Sequence, residues 1–236
     1  MAVNKDWPGG QNLNEKVIVA LDVDSRTQAL ALAEALQGSG CWLKIGLELY
    51  ALSGLELVET FKKMGFSLFL DLKLHDIPNT VERALRVLST SGVDMVDVHC
   101  AGGYTMMARA AEVCHAAGIK VIGVTVLTSM GPKDLRELGV AAGPQEQVVN
   151  LARLAQKAGL DGVVASSQEA AVLRKELGPE FILVTPGIRP PGSAPNDQVR
   201  VVTPRAALQA GSSYLVVGRP VTRAADPRQA LAALWQ

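Results

Sequence analysis

Aromatic residues are scarce in this chain: four phenylalanines, three tryptophans and three tyrosines supply 4% of it. That is too few for a surface on which nucleic-acid bases stack in series. An excess of one charge sign is missing too. Twenty-three basic residues balance 23 acidic ones without a basic block, so neither nucleic acid nor an anionic membrane is an expected partner. No apolar run is long enough to cross a bilayer, and residues 1–14, with Trp7-Pro8-Gly9-Gly10, lack the apolar stretch of a signal peptide. Cysteine is limited to Cys41, Cys100 and Cys114. An odd number without metal-type spacing argues against a disulfide framework and reads as free thiols in a reducing cytoplasm.

What is present points to a well-cored domain. Hydrophobic residues make up 48% and charged ones 19% of the 236 positions, which argues against disorder and suits one large domain. Short, nearly continuous apolar runs recur at Val17–Leu21, Cys41–Ile45, Phe66–Leu70, Val93–Val98, Lys120–Leu127, Gly162–Ala165, Phe181–Val184 and Tyr214–Val217. Parallel strands buried on both faces have this look. Helical spacing fills the intervals: Ala29, Leu32, Ala33 and Leu36; Val81, Ala84, Leu85 and Leu88; Val148, Leu151, Ala152 and Ala155. Pro78 and the pair Asp226-Pro227 have the form of helix starts, and Gly92, Gly118 and Gly159 fall where helices should end.

Eight strands alternating with helices predict an α/β fold, a (β/α)8 TIM barrel over residues 16–236, with residues 1–15 as a poorly ordered extension. An open doubly wound sheet is the rival. It is disfavoured because Ala20-Leu21-Asp22-Val23-Asp24 after the first run contains no dinucleotide-binding glycines.

In such a barrel the chemistry gathers at the C-terminal ends of the strands. The polar residues closing the apolar runs are Asp22, Lys44, Asp71, Lys73, Asp97, His99, Thr125, Thr128, Pro186 to Arg189, and Gly218-Arg219. The densest cluster is Asp71-Leu72-Lys73-Leu74-His75-Asp76-Ile77-Pro78-Asn79-Thr80. In extended backbone Asp71 and Lys73 share one side, and Lys44 lies one strand away, so opposite charges should alternate around one point. A lysine between carboxylates stays protonated and acts as an acid and an electrostatic anchor. A purely structural ion-pair network at a barrel rim would have the same spacing. Asp97 reads as structural, and the cysteines as packing residues. The second cluster, Thr185-Pro186-Gly187-Ile188-Arg189-Pro190-Pro191-Gly192 with Gly218-Arg219, falls after strands seven and eight, where barrels often bind phosphate. A phosphorylated small molecule is the expected ligand.

The first cluster, extended through Val81, closely resembles the signature of the bacterial orotidine 5′-phosphate decarboxylase family. Ala20-Leu21-Asp22, Leu43-Lys44-Ile45-Gly46, Val98-His99-Cys100-Ala101-Gly102-Gly103 and Thr125-Val126-Leu127-Thr128-Ser129 resemble the same family. So do the stretch from Thr185 to Arg189, Asn196-Asp197-Gln198 with Thr203-Pro204, and Val217-Gly218-Arg219. Leu74 stands where many members carry Phe, and Cys100 where Ala or Ser is frequent.

The resemblance implies decarboxylation of orotidine 5′-monophosphate (OMP) to uridine 5′-monophosphate (UMP), in the cytoplasm, without cofactor or metal. Lys73 would deliver the proton that replaces CO2, and Asp71 would lie against the substrate carboxylate. Asp22 would hold a ribose hydroxyl, and Lys44 would bridge ribose and the charge network. Thr128 would meet the pyrimidine amide edge. Gln198, Arg219 and the backbone of Gly218 would grip the phosphate, with Pro186 and Arg189 shaping the loop over it. Asp76 and Thr80 would enter the site of a second subunit in a homodimer. Two rivals remain at this point. Metal-dependent sugar-phosphate decarboxylases or aldolases share the Asp-x-Lys-x-x-Asp element but would carry an acidic ligand near Lys44. A catalytically inert nucleotide-binding barrel would have lost the charged tetrad.

Overall fold

The computed structural model describes residues 12–190 and 202–236. Eight parallel strands close into a barrel in sequence order: β1 (Val17–Ala20), β2 (Trp42–Gly46), β3 (Leu68–Leu74), β4 (Met95–His99), β5 (Lys120–Val124), β6 (Gly162–Val164), β7 (Ile182–Thr185) and β8 (Tyr214–Val217). Ring closure rests on β1 against β8, with Val17 beside Leu215 and Val19 beside Val217. The expected eight strands are all present. Two ends differ from the apolar runs by three residues or more. β5 stops at Val124, because Thr125 turns its hydroxyl to the Val164 carbonyl at 2.8 Å and the chain then folds back through a Met130-to-Leu127 turn. β3 runs on past Leu70: its register with β4 breaks between Leu70 and Leu74 and resumes at Leu74 beside Val98.

The helical periodicities hold. Helices Arg26–Leu36, Pro78–Leu88 and Pro144–Lys157 bury Ala29, Ala33 and Leu36; Val81, Leu85 and Leu88; and Val148, Ala152 and Ala155. Pro78 opens its helix, and Asp226 caps the last one by accepting from the Gln229 amide at 2.9 Å. Gly92, Gly118 and Gly159 all have positive φ, the left-handed conformation expected after a helix end.

The larger core lies between strands and helices, with Val19, Leu43, Leu57, Phe61 and Leu173 fully buried. Truncating Phe61 to alanine there should cost about 3–5 kcal/mol. A smaller layer of Ile18, Phe69, Met95, Ile122 and Val184 fills the barrel itself. At the N-terminal ends of the strands the interior is capped by Trp42 and Tyr214, whose rings meet edge to face at 5.3 Å. Lys120 and Lys16 lie over these two rings. The apolar filling thus closes one end and leaves charged side chains for the other.

Residues 1–11 of the expected extension lie outside the described residues. From Asn12 onward the chain is already fastened to the barrel: Leu13 is buried, the Asn14 amide donates to the Ser39 carbonyl at 3.1 Å, and the Trp235 indole donates to Asn14 at 3.0 Å. None of the described helices is long and apolar enough to cross a membrane.

Candidate active site

Strand alternation decides what points into the barrel mouth. Phe69 belongs to the interior layer, so Asp71, two residues on, rises above it. By the same rule Trp42 is followed by Lys44, Ile18 by Ala20 and then Asp22, and Met95 by Asp97. These side chains converge. The Lys44 ammonium lies 3.0 Å from Asp22 Oδ1 and 3.1 Å from Asp71 Oδ2. Lys73 Nζ pairs with the other Asp71 oxygen, Oδ1. Gly46 makes room for this approach, since a Cβ there would stand 3.1 Å from Lys44 Nζ and 3.5 Å from Asp22 Oδ1.

Burial is graded across the cluster. Side-chain exposure is 9% for Lys44, 13% for Asp71, 33% for Lys73 and 65% for Asp22. Burial works against a charged Lys44, but Asp71 and Asp22 outweigh it and raise its pKa above the ordinary lysine value. Burial also favours a neutral Asp71. Lys44, the Asp97 side chain and Lys73 reverse that effect and hold its carboxyl well below the usual carboxylate range. Asp71 is therefore an anion gripped from both sides, and Lys73 is the cation of the set that reaches furthest toward the open mouth.

One expectation about this cluster needs correcting. Asp71 and Lys73 do meet, but not through plain extended alternation. Lys73 has φ +50°, the sole described residue other than glycine in the left-handed region. Its amide donates to Asp97 Oδ1 at 2.7 Å. The β3 bulge, held by β4, brings the Lys73 ammonium back to Asp71.

A cavity of about 480 Å³ opens over these groups, lined by Asp22, Lys44, Asp71 and Lys73 on one side and by Pro186, Gly187, Arg189, Gly218 and Arg219 on the other. Its volume falls in the range of small-ligand sites. Phe69, Val164, Val184 and Val216 form its apolar floor. Gly187 takes φ +79°, which lets the β7 loop turn toward the cavity. Arg189 is buried, and its guanidinium donates to the Ile188 carbonyl at 2.9 Å. Burial, then the neighbouring Arg219, lowers its pKa from the ordinary arginine value. Among the described residues no carboxylate forms an ion pair with Arg189. Two guanidiniums close enough to disfavour each other make a ready seat for an anion such as phosphate.

Other expected site residues fall elsewhere. Gln198 lies outside the described residues. Thr128 is half-buried on the loop after β5 and does not line the cavity. Asp76 and Thr80 are exposed at the start of helix Pro78–Leu88 and do not line it either; Asp76 accepts from the Ile77 amide at 2.6 Å. His75 and His99 stack as tilted rings 5.4 Å apart beside the cluster. Sequence reasoning passed over Thr222 and Arg223, which line the cavity together with Arg219. The i, i+4 spacing of Arg219 and Arg223 was an available signal. Among the described residues no group of three or more His, Cys, Asp or Glu side chains is arranged to hold a metal ion.

The model of the orotidine 5′-phosphate decarboxylase / HUMPS family matches residues 15–234. An orotidine 5′-phosphate decarboxylase of Vibrio campbellii is 52% identical over 222 residues, covering 93% of this chain and 95% of its own length. One of Pseudomonas aeruginosa is 54% identical over 221 residues, covering 92% and 95%. The crystal structure of orotidine 5′-phosphate decarboxylase from Lactobacillus acidophilus superposes with a TM-score of 0.83 at 37% identity, over 92% of this chain and 96% of that one.

Proposed function

The chain belongs to the orotidine 5′-phosphate decarboxylase / HUMPS family, and we propose that the Lys44–Asp71–Lys73 network is its catalytic centre. The enzyme is a carboxy-lyase that converts OMP to UMP in pyrimidine biosynthesis. Breaking the bond between the ring carbon and CO2 leaves the electron pair on a carbon without a conjugated sink. Stabilisation must then come from fixed charge placed in advance. Lys73 supplies it: its ammonium faces the developing carbanion, transfers a proton to that carbon as CO2 departs, and regains one from solvent. Asp71, kept ionised by its two lysines, lies against the substrate carboxylate and anchors Lys73. The observation that carries this reading is the Lys73–Asp71 ion pair on the cavity wall.

The remaining roles follow the cavity lining, and for Gln198 and Thr128 the family resemblance. Asp22, the most exposed carboxylate of the cluster, takes a ribose hydroxyl, and Lys44 bridges ribose and Asp71. Arg219, the Gly218 backbone and Gln198 hold the 5′-phosphate, with Pro186 and Arg189 shaping the loop. Binding energy gained at the phosphate, far from the reacting carbon, then lowers the barrier through loop closure. Thr128, on the loop after β5, meets the pyrimidine amide edge. A metal-assisted sugar-phosphate reaction is not favoured, because the Lys44 ammonium paired with Asp71 at 3.1 Å repels a divalent cation there.

Asp76 and Thr80 are exposed and do not line the cavity of their own chain. We assign them to the site of a second copy, which makes the working unit a homodimer. Three free, buried cysteines suit a reducing cytoplasm. The direct test of the catalytic assignment is Lys73→Ala. Turnover should fall by at least about 10³-fold, the order seen for loss of a preorganised charge, while UMP still binds. Near-normal turnover would remove Lys73 as proton donor.

A further inference from the structure

The mechanism above gives Asp97 no task, yet its surroundings are unusual. It sits inside the barrel mouth on β4, with 1% of its surface exposed. Met95 lies below it, Ile122 of β5 pairs beside it, and the β3 bulge carrying Asp71 and Lys73 lies on its other flank. Oδ1 accepts the Lys73 amide at 2.7 Å. Oδ2 is buried and receives no hydrogen bond from any described donor. A carboxylate left half-unsatisfied at this depth would be costly. The Asp71 carboxylate lies within hydrogen-bond reach of the Asp97 carboxyl, and its ionised oxygens can only accept. Two anions cannot share that contact, but a carboxyl and a carboxylate can, with one proton between them.

We infer that Asp97 is a positioning residue for decarboxylation, one carboxyl oxygen fixing the Lys73 backbone and the other, as an O–H donor, fixing the Asp71 carboxylate. This rests on the catalytic reading of Lys73 and Asp71. Asp71 then has three donors, Lys44, Lys73 and Asp97, arranged so that it can neither turn nor take up a proton. The anchored amide also holds Lys73 in its left-handed conformation, which L side chains otherwise avoid. Burial and the adjacent Asp71 charge both push the Asp97 carboxyl well above its usual range, with Lys73 opposing, which agrees with the protonated form. The Lys73 chain therefore arrives at Asp71 by a set path, and the reacting nitrogen inherits its position from a residue that touches no substrate.

The experiment compares Asp97→Ala and Asp97→Asn in the full-length enzyme, measuring kcat, KM for OMP and UMP affinity. Asparagine keeps an acceptor for the Lys73 amide and replaces the O–H by an N–H donor toward Asp71. Asp97→Ala should lower kcat by about 10²-fold, the order expected for a misplaced reacting group, with UMP affinity nearly held. Asp97→Asn should recover most of that loss. If Asp97→Asn is as impaired as Asp97→Ala, an ionised carboxylate is required and the inference fails. Full kcat in Asp97→Ala would also overturn it. Should Asp97→Ala not fold, infrared spectra of the wild type and Asp97→Asn decide. The expected result is a protonated-carboxyl C=O stretch in the wild type that disappears in Asp97→Asn; identical spectra refute the proton on Asp97. Loss of Lys73 as proton donor would be seen separately, in Lys73→Ala, and would leave the infrared result standing.

Discussion

Replacing Lys44 by methionine keeps the apolar stem and removes the charge between Asp22 and Asp71. At 3.1 Å and an effective dielectric of about 20, the attraction between Lys44 and Asp71 is about 5 kcal/mol. The partner pair with Asp22 adds little, because that carboxylate is mostly solvated. Against the loss stands the recovered cost of burying an ammonium, and Asp71 keeps Lys73. The net destabilisation should be about 3 kcal/mol, the low end for breaking a buried pair. For a chain of this size that is a fall in Tm of roughly 6–12 °C at neutral pH. The gap must also depend on pH. Asp71 has a depressed folded pKa, so its stabilisation is present above the unfolded value of about 3.9 and is lost as pH falls through the folded one. Calorimetric melts of wild type and Lys44→Met should therefore show the full gap at pH 7.5 and 5, and the gap should close only in strong acid, below the usual carboxylate range. An unchanged Tm at neutral pH, or a gap already closed at pH 5, would refute the reasoning.

Other outcomes follow from the same geometry. Arg219→Ala should cut kcat/KM for OMP by about 10–10²-fold, one charge-assisted hydrogen bond, while leaving weak binding of uridine alone; an unchanged kcat/KM would remove Arg219 from the phosphate site. Burial pushes the Cys41 thiol up to about 11 and those of Cys100 and Cys114 up to about 12. A thiol reagent at pH 8 should hence label none of the three in the native enzyme and all three after unfolding, and fast native labelling would contradict the packing. The folded pKa of Asp97 is raised, so the stability it gives below about pH 3.9 is lost as pH rises. Asp97→Asn should thus gain Tm over the wild type from pH 3.5 to pH 7, and a gap independent of pH would speak against a buried proton. Mixing inactive Asp76→Asn and Lys73→Ala subunits should restore one intact site per hybrid dimer; no recovered activity would place Asp76 in its own subunit's site.

The strands were legible because a barrel strand is apolar on both faces, so that runs such as Val17–Leu21 and Tyr214–Val217 stand out without any alternation. The end of β5 was not, because Thr125-Val126-Leu127 continues the apolar run although its hydrogen bonds turn elsewhere. The two charged clusters could be placed from strand ends alone, and Lys44, Asp22, Asp71 and Lys73 do converge. The route to that convergence could not be read. Nothing in Leu70-Asp71-Leu72-Lys73 marks a left-handed lysine, which follows from a tertiary hydrogen bond to another strand. Asp97 was passed over for the same reason: a lone charge within an apolar run looks structural until its partners are known. The strand-end pattern picked out Asp76, Thr80 and Thr128, but their roles came from resemblance alone, and their exposed or peripheral places in one chain show why the pattern could not supply them.

The most direct measurement is the loss of OMP absorbance on adding the purified enzyme, run in parallel with excess EDTA. The account predicts rapid conversion to UMP at the same rate in both, since lysines and carboxylates supply all the charge the reaction needs. An activity that EDTA abolishes, or no conversion at all, would contradict it and leave the Lys44–Asp71–Lys73 network without its assigned chemistry.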